Sequence, residues 1–311
     1  MIKLIFNRIV QSFPVIIGSI TISFIIIHIA PGDPIIAILG EQYSPDDAKE
    51  LTQELKLDRP ILSQYVNYIK KILVFDFGKS YISNSDVFEI ILYRGYYTLI
   101  LALLSIFFAI SCGLSLGLAA ALFKGRLIDK LALIFSSLLI STPVFFMGLI
   151  LIYIFCLTIP ILPPSGFGEF QYMILPALAL GSRSIAMITI TTRSYMLDIL
   201  SENFIRTAKS KGLSNFYIVV RHVMPNLLLP LITIIGLDLG SYISGAVLTE
   251  SIFGWPGLGR LSLDSILKRD LPVIEGIVIF SSLVFIFINI IIDLLYFFID
   301  PRIKDRQLSN E

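Results

Sequence analysis

Few residues in this 311-residue chain have side chains suited to catalysis or metal binding. It contains two histidines, His28 and His222, and two cysteines, Cys112 and Cys156. Two histidines are too few for a histidine-based metal cage. The cysteines sit in separate apolar runs and read as small buried residues, not as a disulfide or a metal site. Asp76-Phe77-Gly78 copies a kinase tripeptide, but no H-R-D precedes it. Gly78-Lys79-Ser80 ends like a phosphate loop, yet Leu73 stands where that loop needs its first glycine. No complete P-loop, H-E-x-x-H or G-x-S-x-G is present. The expectation is a chain with no catalytic residue, no resident metal and no bound cofactor of its own.

Two charges are more informative. Arg183 and Asp238 each lie inside a long apolar run. An ionised side chain at membrane depth is costly and normally faces a bundle interior or an aqueous path. The pair fits two readings. The charges form an ion pair that sets helix register, or they line a path in which Arg183 meets a substrate carboxylate or the acid groups of a metal chelate.

A third feature is the basic segment Ser201–Pro230, flanked by apolar runs. Arg206 to Lys211 reads as a helix, and Gly212 suits the left-handed position that ends it. Ser214 can cap a second short helix. Phe216, Tyr217, Val220 and Val223 then follow helical spacing along one face. The spacing fits a docking platform for a soluble partner, and equally an amphipathic hairpin resting on lipid headgroups.

The elements that hold these residues follow from composition. The chain is 56% hydrophobic and 15% charged, against about 25% charged in a soluble domain. Its mean hydropathy is +0.85. The net charge of +1 gives no overall pull on nucleic acid. A bilayer-crossing helix takes about 20 apolar residues. Six segments qualify: Ile9–Ala30, Tyr97–Phe123, Leu131–Ile159, Met173–Thr192, Leu227–Leu248 and Gly276–Ile299. The first reads as a retained span and not a cleaved signal. Lys3 and Arg8, then Lys124, Arg126 and Lys130, then Arg193 through Arg221, then Arg302, Lys304 and Arg306 fall on one side. The positive-inside bias puts that side, with both termini, in the cytoplasm.

Residues 31–96 then lie outside. Ser44-Pro45-Asp46-Asp47 reads as a helix start, with Ala48, Leu51 and Leu55 on one face. Pro60 opens a second helix carrying Leu62, Tyr65, Ile69 and Leu73. These helices are too polar to span, and suit a lid or platform. Within the spans, Gly113-x3-Gly117 and Gly236-x3-Gly240 predict close helix approach. Pro143 predicts a kink in the third span, with Ser141 and Thr142 placed to satisfy freed backbone groups. Asp293 lies near the cytoplasmic end of span six and reads as structural.

The basic segment resembles the cytoplasmic EAA loop of ABC importer permeases, specifically the dipeptide/oligopeptide/nickel branch. Arg206-Thr207-Ala208 stands at the E-A-A position, followed by Gly212 and by Met224-Pro225. Arg206 replaces the Glu of the general motif, and His222 stands where an Ile is common. Pro31-Gly32-Asp33-Pro34, the run Glu250–Gly259 (ESIFGWPGLG), Arg269-Asp270-Leu271-Pro272-Val273 and Asp300-Pro301-Arg302 add to the match, which covers essentially the whole chain in order.

The resemblance implies an all-α, polytopic membrane protein with six transmembrane helices in the type I importer permease fold. Its parts would be the N-terminal segment and first helix (1–30), the extracytoplasmic segment (31–96), a five-helix core (97–299) with coupling loop 193–226, and a cytoplasmic tail (300–311). It implies a second homologous permease subunit, two cytoplasmic ATPase subunits that bind ATP and Mg, and an extracytoplasmic substrate-binding protein. Arg206, Thr207, Ala208, Lys209, Lys211, Gly212, Leu213, His222 and Pro225 would form the ATPase contact. Gly212 would allow its turn, and Ala208 would keep the helix flat against the partner. Alternating access for di- or oligopeptides is the implied role, with nickel or a metal chelate as the alternative. The location is the cytoplasmic membrane of a bacterium or archaeon. A secondary carrier would often show internal repeats with broken helices, and the chain shows no clear repeat. A membrane enzyme would need a cluster of polar groups at one depth, where the chain offers Arg183 and Asp238.

Overall fold

The computed structural model describes residues 2–29, 44–46, 49, 52, 58–244 and 246–299; the side chains of 2–7, 9, 26–29, 297 and 299 lie outside that description. The Pro31–Pro34 motif, most of the helix expected after Ser44 and the Asp300-Pro301-Arg302 motif also lie outside the described residues.

The described residues form helices joined by short turns. α1 is Ile2–Ile29 and α2 is Ile61–Leu73. α3, Val87–Leu122, runs 36 residues and starts on Asp86, whose carboxylate accepts the N–H groups of Phe88 and Glu89. α4 is Leu127–Ser141 and α5 is Val144–Ile152, which continues as a π-helical turn, Tyr153–Thr158. α6 is Gln171–Ser201, α7 is Asn203–Ser210 and α8 is Asn215–Ile218. A π-helical turn, Val219–Val223, joins α8 to α9, Met224–Ile243. α10 (Val247–Ile252), α11 (Leu258–Lys268) and α12 (Leu271–Ile299) follow.

Among the described residues, four stretches are long and apolar enough to cross a membrane: α3, α6, the continuous run Asn215–Ile243, and Leu271–Tyr296 of α12. α4 and α5 together make a fifth, bent by 111°, and the apolar stretch within α1 is Val10–Ile25. The expected six spans are therefore corrected at the third. It breaks rather than kinks, because Thr142 and Pro143 both adopt extended backbone. Thr142, of the expected pair Ser141 and Thr142, closes the end of α4 by donating its hydroxyl to the Leu138 carbonyl at 2.8 Å. The fifth span is corrected at both ends. It begins well before Leu227, because α8 runs on into α9, and it stops at Ile243, with Leu248 on the separate helix α10. The wider π turn lets the chain pass Pro225 unbroken, since Pro225 then falls in the first turn of α9, where its missing N–H costs nothing.

α3 is the central mast and α6 lies against it. Glycines make that approach possible: a methyl on Gly113 would lie 2.8 Å from the Ile185 carbonyl oxygen, and one on Gly117 would lie 2.6 Å from Thr192 Cβ. Gly181 meets the Ser105 carbonyl in the same way at 2.8 Å. The second glycine pair serves another contact, with Gly236 under Ile292 and Gly240 under Phe285 of α12. Both expected small-residue patterns thus sit at helix crossings, where dispersion and backbone proximity supply the attraction that lipid does not.

Two apolar layers fill the bundle. One gathers Leu101, Ile106, Leu180, Tyr242, Trp255 and Ile288, and the other gathers Leu139, Ile188, Met196, Val223, Leu227 and Leu231. α2 packs beside α1 and α12 through Tyr65, Tyr68, Ile69 and Ile72. Of the expected pattern Leu62, Tyr65, Ile69 and Leu73, Tyr65 and Ile69 pack there with Tyr68 and Ile72, while Leu62 and Leu73 are exposed. Arg8 pairs with Asp293 at 2.9 Å, clamping α1 to α12.

Candidate functional site

Arg183 and Asp238 line one cavity of about 570 Å³ between α5, α6, α9 and α10. Its walls include Phe145, Leu180, Met187, Ile234 and Leu237, so the two charges stand in apolar surroundings. Among the described residues they make no direct ion pair. Asp238 Oδ2 accepts the hydroxyl of Ser184, the neighbour of Arg183 on α6. Ser184 donates to the carboxylate, so its lone pairs are left to accept the Tyr242 hydroxyl from one turn further along α9. This relay holds α6 and α9 level with each other. Asp238 Oδ1 and the Arg183 guanidinium make no hydrogen bond among the described residues, and Arg183 is exposed. Neither Ser184 nor Tyr242 carried a sequence signal, because their partnerships span 54 and 58 residues.

The basic segment is built by α7, α8 and the π turn. Gly212 adopts φ +78° and closes α7, its N–H donating to the Lys209 carbonyl at 2.9 Å, while Leu213 N–H reaches the Ala208 carbonyl at 3.3 Å. Ser214 caps α8 by accepting the Tyr217 N–H at 3.3 Å. Arg206, Thr207, Lys209, Lys211 and Pro225 are exposed, and Leu213 and His222 are half-buried. Ala208 is corrected: it faces inward, buried with Ile205 and Ile218 where α7 crosses α8. Its small size serves that internal crossing, not a partner's surface. The apolar stripe is corrected too. Ile218 and Val223 turn into the core, leaving Phe216, Tyr217 and Val220 exposed. His222 stands between the rings of Phe204 and Tyr217, with centroids 6.3 and 6.2 Å away. The result is a segment that exposes the rings of Phe204, Phe216 and Tyr217 together with the cations Arg206, Lys209 and Lys211.

Arg193, read from sequence only as a loop charge, is the anchor above that segment. It donates to Asp129 from both Nε and a terminal nitrogen, the latter at 2.8 Å, and Asp129 also accepts the Gly125 N–H at 2.8 Å. The fork ties the base of α6 to the first turn of α4.

At the opposite end, Glu250 on α10 is fully buried. Its Oε1 accepts the Thr98 hydroxyl at 2.8 Å and its Oε2 accepts the Arg260 N–H at 2.9 Å. The carboxylate therefore caps α11, which has no side-chain cap of its own at Gly257. Burial pushes the Glu250 carboxyl above its usual range, while the Arg260, Thr98 and Gly259 donors pull the other way. Trp255 Nε1 donates to the Tyr97 carbonyl at 3.0 Å, and Arg260 reaches the Gly254 carbonyl at 2.8 Å. Close by, Asp270 accepts the Ser80 hydroxyl and the Tyr81 N–H. Ser80, the last residue of the false phosphate loop, thus serves as a strut.

Residues 113–305 match the family described as "Binding-protein-dependent transport system inner membrane component", and residues 1–102 match the N-terminal family of such membrane components. The chain is similar to the glutathione transport system permease protein GsiC of Salmonella typhimurium (strain LT2), 36% identical over 304 residues, covering 98% of this chain and 99% of that one. It is also similar to the GsiC protein of Escherichia coli K12, 35% identical over the same share of both chains. In fold it is similar to a chain of the methionine ABC transporter MetNI in its inward-facing conformation, with a TM-score of 0.52, 15% identity, and coverage of 68% of this chain and 96% of that one. With that extent of match, the chain belongs to the family of binding-protein-dependent transport system inner membrane components and is a multi-pass permease subunit of an ABC importer.

Proposed function

We propose that this chain forms one half of the translocation path for a peptide-like substrate, working by alternating access. The observation that carries the reading is Arg183. It is a cation near the middle of a membrane-spanning helix, exposed and without a hydrogen-bond partner among the described residues, opening into a cavity it shares with Asp238. An arginine facing hydrocarbon at that depth costs about 2.5–3.5 kcal/mol by insertion scales. The face is therefore expected to border water and a second, homologous permease subunit, not lipid. Relatives that carry the name glutathione transport permease, at 36% identity along nearly the full length, support a small peptide as cargo.

Energy enters through the segment 193–226. Its exposed Phe216, Tyr217 and Val220, together with the exposed Arg206, Lys209 and Lys211, suit a groove on a soluble ATPase. ATP and Mg belong in this reading to two such subunits, since the sequence carries no phosphate loop of its own. Both termini are assigned to the cytoplasm, and a binding protein delivers cargo to the far side.

The test is reconstitution of this chain with its companion permease, ATPases and binding protein in proteoliposomes. ATP-dependent uptake of glutathione or other short peptides is expected. Uptake by this chain alone without ATP would overturn the importer reading. Uptake of nickel or a metal chelate, with no peptide taken up, would overturn the substrate class.

A further inference from the structure

We infer that the Arg183–Asp238 cavity is a zwitterion-reading site: Arg183 holds the carboxylate of the passing peptide and Asp238 Oδ1 holds its ammonium group. This rests on the peptide-import reading above. The two charges sit in one cavity yet do not neutralise each other by direct contact. Ser184 is the reason. Its hydrogen bond fixes Asp238 Oδ2 against α6, and the next residue back along the helix, Arg183, is turned away by about 100° of helical rotation. The Tyr242 hydroxyl, donating to Ser184, holds that arrangement from α9. One carboxylate oxygen and a complete guanidinium fork, on two residues that line the cavity, are left without a hydrogen bond among the described residues. A fork donates two parallel bonds to a carboxylate, and a carboxylate oxygen accepts a bond from an ammonium.

The remainder of the lining suits such a cargo. Phe145, Leu180, Met187 and Leu237 are apolar, so side chains of many kinds find contact there and the charged ends supply the orientation. The volume of about 570 Å³ falls inside the range of about 300–1,000 Å³ usual for small-molecule sites. Beside these apolar walls a charged hydrogen bond is strong, and a lost partner leaves the other charge unmatched.

The experiment compares uptake of three probes by the reconstituted importer: trialanine, its C-terminal amide and its N-acetyl derivative. The binding protein discriminates among them too, but its share is the same for every permease variant and cancels in ratios. Arg183→Gln is expected to lower the acid-to-amide uptake ratio about 10- to 100-fold, the value of one charged hydrogen bond. Asp238→Asn is expected to lower the free-to-acetylated ratio by a similar factor. If Arg183→Gln stops all uptake, Arg183→Lys is expected to restore trialanine ahead of its amide, and failure to restore it overturns the inference. Unchanged ratios in both variants also overturn it, while leaving the importer reading intact. Absence of any ATP-dependent peptide uptake by the wild-type assembly removes the parent reading itself.

Discussion

Thr98 on α3 and Glu250 on α10 share a buried hydrogen bond of 2.8 Å, and the same Thr98 oxygen accepts the N–H of Leu258 at 2.8 Å. One hydroxyl thus serves a carboxylate and a helix start together. Glu250 completes the cap through the Arg260 N–H. This elbow of the bundle depends on the pair, because α11 begins on Gly257, which offers no side chain to cap it.

Thr98→Val keeps the shape and removes both bonds. A buried carboxylate and a buried N–H each lose a partner, so about 1–3 kcal/mol of stability is expected to go. Thr98→Ser keeps the hydroxyl and is expected to remain near wild type. Thermal unfolding of the purified protein in detergent compares the two, and equal losses would contradict the relay.

Glycine spacing in the same elbow gives a second prediction. A methyl on Gly257 would overlap the Glu250 carboxylate, although the backbone there is ordinary for any residue at φ −95°. Gly257→Ala is therefore expected to lower stability by about 1–3 kcal/mol through overpacking. Gly18→Ala on α1 meets nothing within 4 Å and serves as the neutral control. Folded yield and melting temperature distinguish them.

The Asp129–Arg193 fork is the third. Asp129→Ala is expected to cost about 1.5–3 kcal/mol, because Arg193 and the Gly125 N–H both lose a charged acceptor. Replacing both residues, Asp129→Leu with Arg193→Met, is expected to cost less than the sum of the single changes. A double-mutant cycle on denaturation midpoints measures the difference, and strict additivity would rule out the coupling.

Gly212 yields a functional prediction. Its surroundings are open, with nothing within 4 Å of an added methyl, so the constraint is the backbone at φ +78°. A valine is strained there by about 1–2 kcal/mol. Gly212→Val is expected to alter the angle between α7 and α8 and to uncouple ATP hydrolysis from uptake, with the protein still in the membrane. Normal transport per mole of assembled variant would remove Gly212 from the coupling path.

Much of this protein is legible in its residues alone, for clear physical reasons. Long apolar runs announce membrane helices because each must satisfy its own backbone in hydrocarbon. Caps and stops are local, so Gly212 and Ser214 mark the end of one helix and the start of the next by residue type and position. The small-residue seams at Gly113 and Gly236 are legible too, since close helix contact in lipid favours residues without bulk. The pattern of motifs along the chain points to the family to which it belongs.

What the tertiary structure decided are the pairings. Apolar periodicity put Phe216, Tyr217, Val220 and Val223 on one face, yet packing turned Val223, with Ile218, inward through the π turn. Ala208 has the size of an outward contact, but α8 crosses it and buries it. Arg183 and Asp238 are natural partners by charge and depth, and Ser184, separated from Asp238 by 54 residues, intervenes. Local sequence sets φ, ψ and hydropathy, whereas which polar atoms meet depends on how helices far apart in the chain come to lie together.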